Sequence, residues 1–117
     1  DCGFTSPYDI IKKVAKQSFN MPSWIFYPSF DLICRVVGGF SIYGVSTVDA
    51  LRENRVPILF IHGKADNFVP CEMSQRGYDA AVCEKNILLV EGAGHGFSYL
   101  IDTEGVRREL EKFIGSH

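Results

Sequence analysis

Two short apolar runs constrain this chain more than any other feature: Ile58-Leu59-Phe60-Ile61-His62 and Ile87-Leu88-Leu89-Val90. Neither alternates polar with apolar residues, so each predicts a strand buried on both faces, as in a parallel sheet covered by helices. Between them Met73, Tyr78, Ala81 and Val82 mark a helical segment, and after the second run Val106, Leu110, Phe113 and Ile114 recur at helical spacing. Strand, helix, strand, helix reads as a right-handed βαβ unit, and the fold class is α/β. Two parallel strands do not make a self-sufficient sheet, because their edges stay unpaired. The chain is therefore expected to be part of a larger α/β domain and to self-associate through its exposed sheet edge. Its opening at Asp1, running at once into Cys2-Gly3-Phe4-Thr5-Ser6-Pro7, supports the same expectation.

The first half follows another pattern. Ser6 is a helix cap, Pro7 suits the first helical position, and Asp9 stands where a capping-box acid belongs. Ile10, Ile11, Val14 and Ala15 then recur at helical spacing, with Lys12, Lys13 and Lys16 as a solvated face, and Pro22 ends the helix at the latest. From Met21 to Phe30 the close prolines Pro22 and Pro28, among Trp24, Phe26, Tyr27 and Phe30, predict an irregular linker. A second helical stripe, Phe30, Ile33, Cys34 and Val37, stops at Gly38-Gly39. A short helix follows from Ser46 through Asp49 to Glu53, and Pro57 opens the strand region. Residues 8–55 thus form a helical insert and residues 56–117 the strand-helix-strand-helix core of one domain spanning 1–117.

The 117 residues suit one domain at most, since single cores run to roughly 100–200 residues. A hydrophobic content of 46% excludes a disordered chain, and a formal charge of −2 leaves no basic excess for a phosphate backbone, which disfavours nucleic acid as partner. No apolar run reaches the roughly 20 residues that span a bilayer, and no signal-peptide pattern precedes Asp1, so no membrane association is expected. Cys2, Cys34, Cys71 and Cys83 form no C-x-x-C pair; their apolar neighbours predict buried, reduced thiols and a cytoplasmic protein. A secreted disulfide framework is the other reading of an even cysteine number. No metal or cofactor is expected, and no glycine-rich phosphate loop follows a strand.

Two loops follow the C-terminal ends of the strands, where open α/β sheets place their ligands. They are His62-Gly63-Lys64-Ala65-Asp66-Asn67-Phe68-Val69-Pro70 and Glu91-Gly92-Ala93-Gly94-His95-Gly96-Phe97. Neighbouring parallel strands lie about 5 Å apart, so Asp66 and His95 are expected to face each other. A carboxylate on one imidazole nitrogen fixes the tautomer and stabilises the imidazolium, which frees the other nitrogen for proton transfer. Gly92, Gly94 and Gly96 let the backbone turn sharply beside the ring. The plainer readings are a turn-forming Asp66 and a loop His95 satisfied by its neighbours. His62, at a strand end before Gly63, reads as packed or backbone-bonded, and His117 as a terminal residue. Trp24, Phe26, Tyr27 and Phe30 fit either packing of the insert on the sheet or the wall of an apolar acyl pocket.

The pattern His62-Gly63-x-x-Asp66-x-x-Val69-Pro70, followed by a strand and Gly92-x-Gly94-His95, resembles the C-terminal part of α/β hydrolases. It is most similar to the branch of prolyl-oligopeptidase-like and dipeptidyl-peptidase-like serine hydrolases. The resemblance implies that Asp66 is the triad acid, that His95 is the triad base, and that residues from about Tyr8 to Arg55 take the place of a lid. It also implies that Asp1 to Pro7 is the end of a preceding strand with its loop. The chain departs from the pattern in lacking G-x-S-x-G: Gly39-Phe40-Ser41, Gly44-Val45-Ser46 and Gly96-Phe97-Ser98 have no closing glycine. The expectation is then the acid-and-base half of a serine hydrolase acting on ester or peptide-like acyl substrates. Its nucleophile lies on a missing N-terminal half, and the 117 residues alone are inactive. The alternatives are a non-catalytic half-domain serving as a protein-interaction module, which would pair its sheet edge with a partner strand, and a metal-dependent hydrolase built on Asp66, His62 and His95.

Overall fold

The computed structural model describes residues 1–18 and 22–116. In chain order they form helices α1 (Pro7–Ser18) and α2 (Ser23–Ile33), a π-helical turn (Cys34–Gly38), α3 (Thr47–Glu53), strand β1 (Ile58–Gly63), α4 (Cys71–Ala80), β2 (Lys85–Val90), the one-turn α5 (Ser98–Ile101) and α6 (Thr103–Gly115). The beginning of the expected linker at Met21, and His117, lie outside the described residues.

β1 and β2 pair in parallel, from Ile58 opposite Lys85 to Gly63 opposite Val90. Side chains alternate across a strand, and the two faces accordingly have different covers. Leu59 and Ile61 of β1, with Leu88 and Val90 of β2, pack on Ala93 and on Val106 and Leu110 of α6. On the opposite face Phe60 meets Tyr78 of α4 edge to face, with ring centroids 6.0 Å apart, and His62 reaches Ser74 of the same helix. Helices thus cover both faces, as the unbroken apolar runs require. Burial is complete only at the C-terminal end of β1, at Ile61, His62 and Gly63; Ile58, Leu59 and Phe60 stay half-buried because the described residues contribute two strands and no third neighbour. Residues 1–3 run beside β1 with one bond, Cys2 N–H to the Ile61 carbonyl at 3.0 Å, and form no strand.

The insert corrects three sequence expectations. Helix α2 runs straight through the region read as an irregular linker. Pro22 lies outside it and lends its carbonyl to the N–H groups of Ile25 and Phe26, while Pro28 forfeits a single backbone bond. In the stripe Phe30, Ile33, Cys34 and Val37, Ile33 and Val37 are exposed and Phe30 and Cys34 only half-buried, so helical spacing here does not mark a buried face. Lys13 is not part of a solvated face: its ammonium group donates to the carbonyls of Asn67 and Phe68, more than fifty residues away. The cap of α1 follows expectation in part: Ser6 Oγ accepts the Asp9 N–H at 3.0 Å, but the Asp9 carboxylate accepts from Thr5. The four cysteines are free and half-buried, where burial was expected.

Candidate active site

The acid loop leaves β1 at Gly63 and the second loop leaves β2 at Val90, at the same level of the sheet. Their backbones touch. Lys64 N–H donates to the Val90 carbonyl and Ala65 N–H to the Ala93 carbonyl, both at 2.9 Å. A Cβ on residue 63 would stand 2.2 Å from the Ala93 carbonyl oxygen, so glycine alone permits this approach. The second loop turns at Gly92 and Gly96, with φ of 69° and 72°, a region costly for residues with a Cβ.

These turns bring Asp66 and His95 together: His95 Nδ1–H donates to Asp66 Oδ2 at 2.8 Å. The Asp66 side chain is enclosed, whereas the His95 side chain is 45% exposed. Asp66 Oδ1 accepts the N–H groups of Phe68 and Val69, each at 2.8 Å. Behind the carboxylate lies His62, fully buried. Its Nε2–H donates to the Val69 carbonyl at 2.8 Å and approaches Asp66 Oδ2 at 3.2 Å, while Nδ1 accepts from the Ser74 hydroxyl. Burial by itself would push the Asp66 carboxyl up, but the His95 hydrogen bond, the two backbone N–H groups and the charge of His95 outweigh it and hold the carboxyl below the usual carboxylate range.

The arrangement leaves Nε2 as the His95 nitrogen able to exchange a proton. His95 lines an open depression of about 460 Å³ together with Asp1, Cys2, Phe4, Ile10, Phe68 and Gly96. The Phe68 ring packs edge-on against the imidazole, with centroids 5.1 Å apart. An adjoining apolar groove of about 300 Å³, between α1, α2 and Phe68, shares Ile10 and Phe68 with this depression. Phe26 and Phe30 line that groove, whereas Trp24 is 76% exposed.

Cys2, His62 and Asp66 place one potential metal-ligand atom each within 4.8 Å of one another. The donor set does not suit a cation: both His62 nitrogens are engaged, Nε2 as a donor, and both Asp66 oxygens accept from N–H groups. The expected metal alternative of Asp66, His62 and His95 meets the same obstacle.

Sequence reasoning singled out Asp66 and His95, and the fold places them in direct contact. It read His62 as packed or backbone-bonded, and His62 is both; its proximity to Asp66 was signalled only by its position four residues before the acid. Lys13 was missed, because a lysine on an amphipathic helix carries no local sign of a distant carbonyl.

No family model matches the chain. It is 25% identical over 114 residues to the uncharacterized protein YqkD of Bacillus subtilis (strain 168), covering 97% of this chain and 37% of that protein. Among solved structures it is similar to the Pyrococcus furiosus esterase Pf2001, with a TM-score of 0.63 and 16% identity over 94% of this chain and 40% of the esterase. It is also similar to the propionate-bound esterase Est2 of Thermogutta terrifontis, with a TM-score of 0.55 and 25% identity over 85% of this chain and 38% of Est2. The chain spans about two fifths of the length of each of these proteins. Its fold is α/β, of the kind these esterases carry. Among the described residues no helix is long and apolar enough to cross a membrane.

Proposed function

We propose that this chain is the acid-and-base part of a serine hydrolase of the α/β-hydrolase fold, acting on ester or peptide-like acyl substrates. His95 is its general base and acid, Asp66 its orienting carboxylate, and the nucleophilic serine lies outside these residues. The observation that carries the reading is the 2.8 Å bond between an enclosed, ionised Asp66 and Nδ1 of a half-exposed His95 at the rim of an open depression. The likeness to two esterases supports it, one of them propionate-bound.

In this reading His95 Nε2 takes the proton of the serine hydroxyl as its oxygen attacks the acyl carbon. The imidazolium is stabilised by Asp66 and then returns the proton to the leaving group as the acyl-enzyme forms. A water molecule repeats the sequence and releases the acid. The apolar groove beyond Ile10 and Phe68 offers room for the acyl portion.

The test is turnover of a p-nitrophenyl ester by the natural full-length protein. His95→Ala is expected to lower kcat by about 10³-fold or more, and Asp66→Asn by a comparable factor, with the fold intact by circular dichroism. Unchanged turnover in both variants would overturn the assignment. A serine labelled by a fluorophosphonate is expected upstream of residue 1, in a G-x-S-x-G setting.

A further inference from the structure

The Lys13 ammonium group donates to the carbonyl oxygens of Asn67 and Phe68, at 2.5 and 2.9 Å. Each of these oxygens belongs to a peptide unit whose nitrogen is that of the next residue. The two units therefore carry the N–H groups of Phe68 and Val69, the same two that donate to Asp66 Oδ1. Carbonyl and N–H of a trans peptide point in opposite directions. Lys13 and the Asp66 carboxylate thus stand at opposite ends of the same two amides.

We infer that Lys13 is a positioning residue for the Asp66–His95 pair, acting through the peptide units 67–68 and 68–69. A cation at the carbonyl end withdraws electron density from the amide and makes its N–H a stronger donor. Such polarisation strengthens a chained hydrogen bond by roughly 10–30%. Two strengthened donors on Oδ1 favour the ionised carboxylate and restrict its rotation, so that Oδ2 stays directed at His95 Nδ1.

The lysine acts from a firm base. Helix α1 is capped by Ser6, and its Asp9 carboxylate is bound to Thr5 and lies 3.9 Å from Arg76 of α4. On the other side of the acid, His62 holds the Val69 carbonyl. The carbonyls of residues 67 and 68 are thus held by Lys13 and that of residue 69 by His62, which orders the turn around the Asp66 carboxylate.

The inference rests on the hydrolase reading only for its kinetic arm. The experiment compares Lys13→Met, Lys13→Gln and Lys13→Arg in the full-length protein, following the Asp66 titration through its ¹³Cγ resonance and turnover of a p-nitrophenyl ester. Asp66 is faced by His95 beyond β2, by His62 on β1 and by Cys2 beside β1; these are the same in every variant, so a displaced midpoint reports Lys13. Lys13→Met is expected to raise the Asp66 midpoint by about half a unit and to lower kcat about tenfold with KM unchanged, since it loosens aim and leaves substrate contacts alone. Lys13→Arg, a cation able to reach both carbonyls, should restore both quantities. Should Lys13→Met fail to fold, Lys13→Gln, which keeps a neutral donor, is expected to shift the midpoint in the same direction. A midpoint unmoved in the folded variant overturns the inference, even with a lowered melting temperature, because a merely structural lysine would leave the carboxyl titration in place. Unchanged kcat in Lys13→Met, with His95→Ala inactive, overturns it as well. If His95→Ala and Asp66→Asn retain turnover, the hydrolase reading falls and the Asp66 titration alone decides the role of Lys13.

Discussion

Two regions of the chain solve opposite problems. At the strand ends, residues 62–70 and 90–96 close their polar groups on one another. Asp66 has acceptor bonds on both oxygens, His62 is bonded at both ring nitrogens, and the two loops share backbone bonds. In the insert, helix α2 and the π-helical turn turn apolar side chains outward, with Trp24, Val36 and Val37 between 76% and 82% exposed. The first region is specified by contacts inside this chain; the outer face of the second is not. A polar site must be satisfied locally, because an unpaired buried carboxylate costs several kcal/mol, whereas an apolar face tolerates exposure.

The largest effect should come from Gly63. A methyl group there meets the Ala93 carbonyl, so Gly63→Ala is expected to remove about 3 kcal/mol from the unfolding free energy of the full-length protein, read by denaturant titration. A loss below 1 kcal/mol would mean that the two loops are not locked at this point. Next comes acid sensitivity. The Asp66 carboxyl titrates lower in the folded state than its unfolded value near 4, so its contribution is complete above about pH 4 and is lost as pH falls through the lower, folded value. The stability gap between wild type and Asp66→Asn should accordingly close on acidification below that point; a gap independent of pH would contradict the ionised carboxylate. The smallest effect belongs to the insert. Val37→Ser should change stability by less than about 0.5 kcal/mol if that face is exposed in the full-length protein. A loss above 1 kcal/mol would show that it is covered there, and the contrast between the regions would narrow.

The same contrast explains what could be read in the sequence. Strands β1 and β2 were legible because unbroken apolar runs bounded by Gly63 and Glu91-Gly92 admit few alternatives, and the loops after them followed from strand order. The contact between Asp66 and His95 was legible because each lies in a loop at the C-terminal end of one of two neighbouring strands. Helix α2 was misread because two prolines six residues apart weigh as breakers until one lies before the first turn. Helix α5, four residues long, is too short to show a period. Lys13 escaped notice for a different reason: its partners are main-chain oxygens, and every residue has one.

The π-helical turn at Cys34–Gly38 has a consequence of its own. A π turn holds one residue more than an α turn, so it equals an inserted residue absorbed inside the helix instead of expelled into a loop. One residue advances the helical phase by about 100°. The chain therefore leaves at Gly39, in the left-handed conformation, on a heading that α2 alone would not have given. That heading returns Ile42 to the interior, where its side chain is wholly enclosed and its N–H meets Asp31 Oδ1 at 2.8 Å. Counted in residues the turn is a single extra step; in direction it decides where the whole second limb of the insert begins.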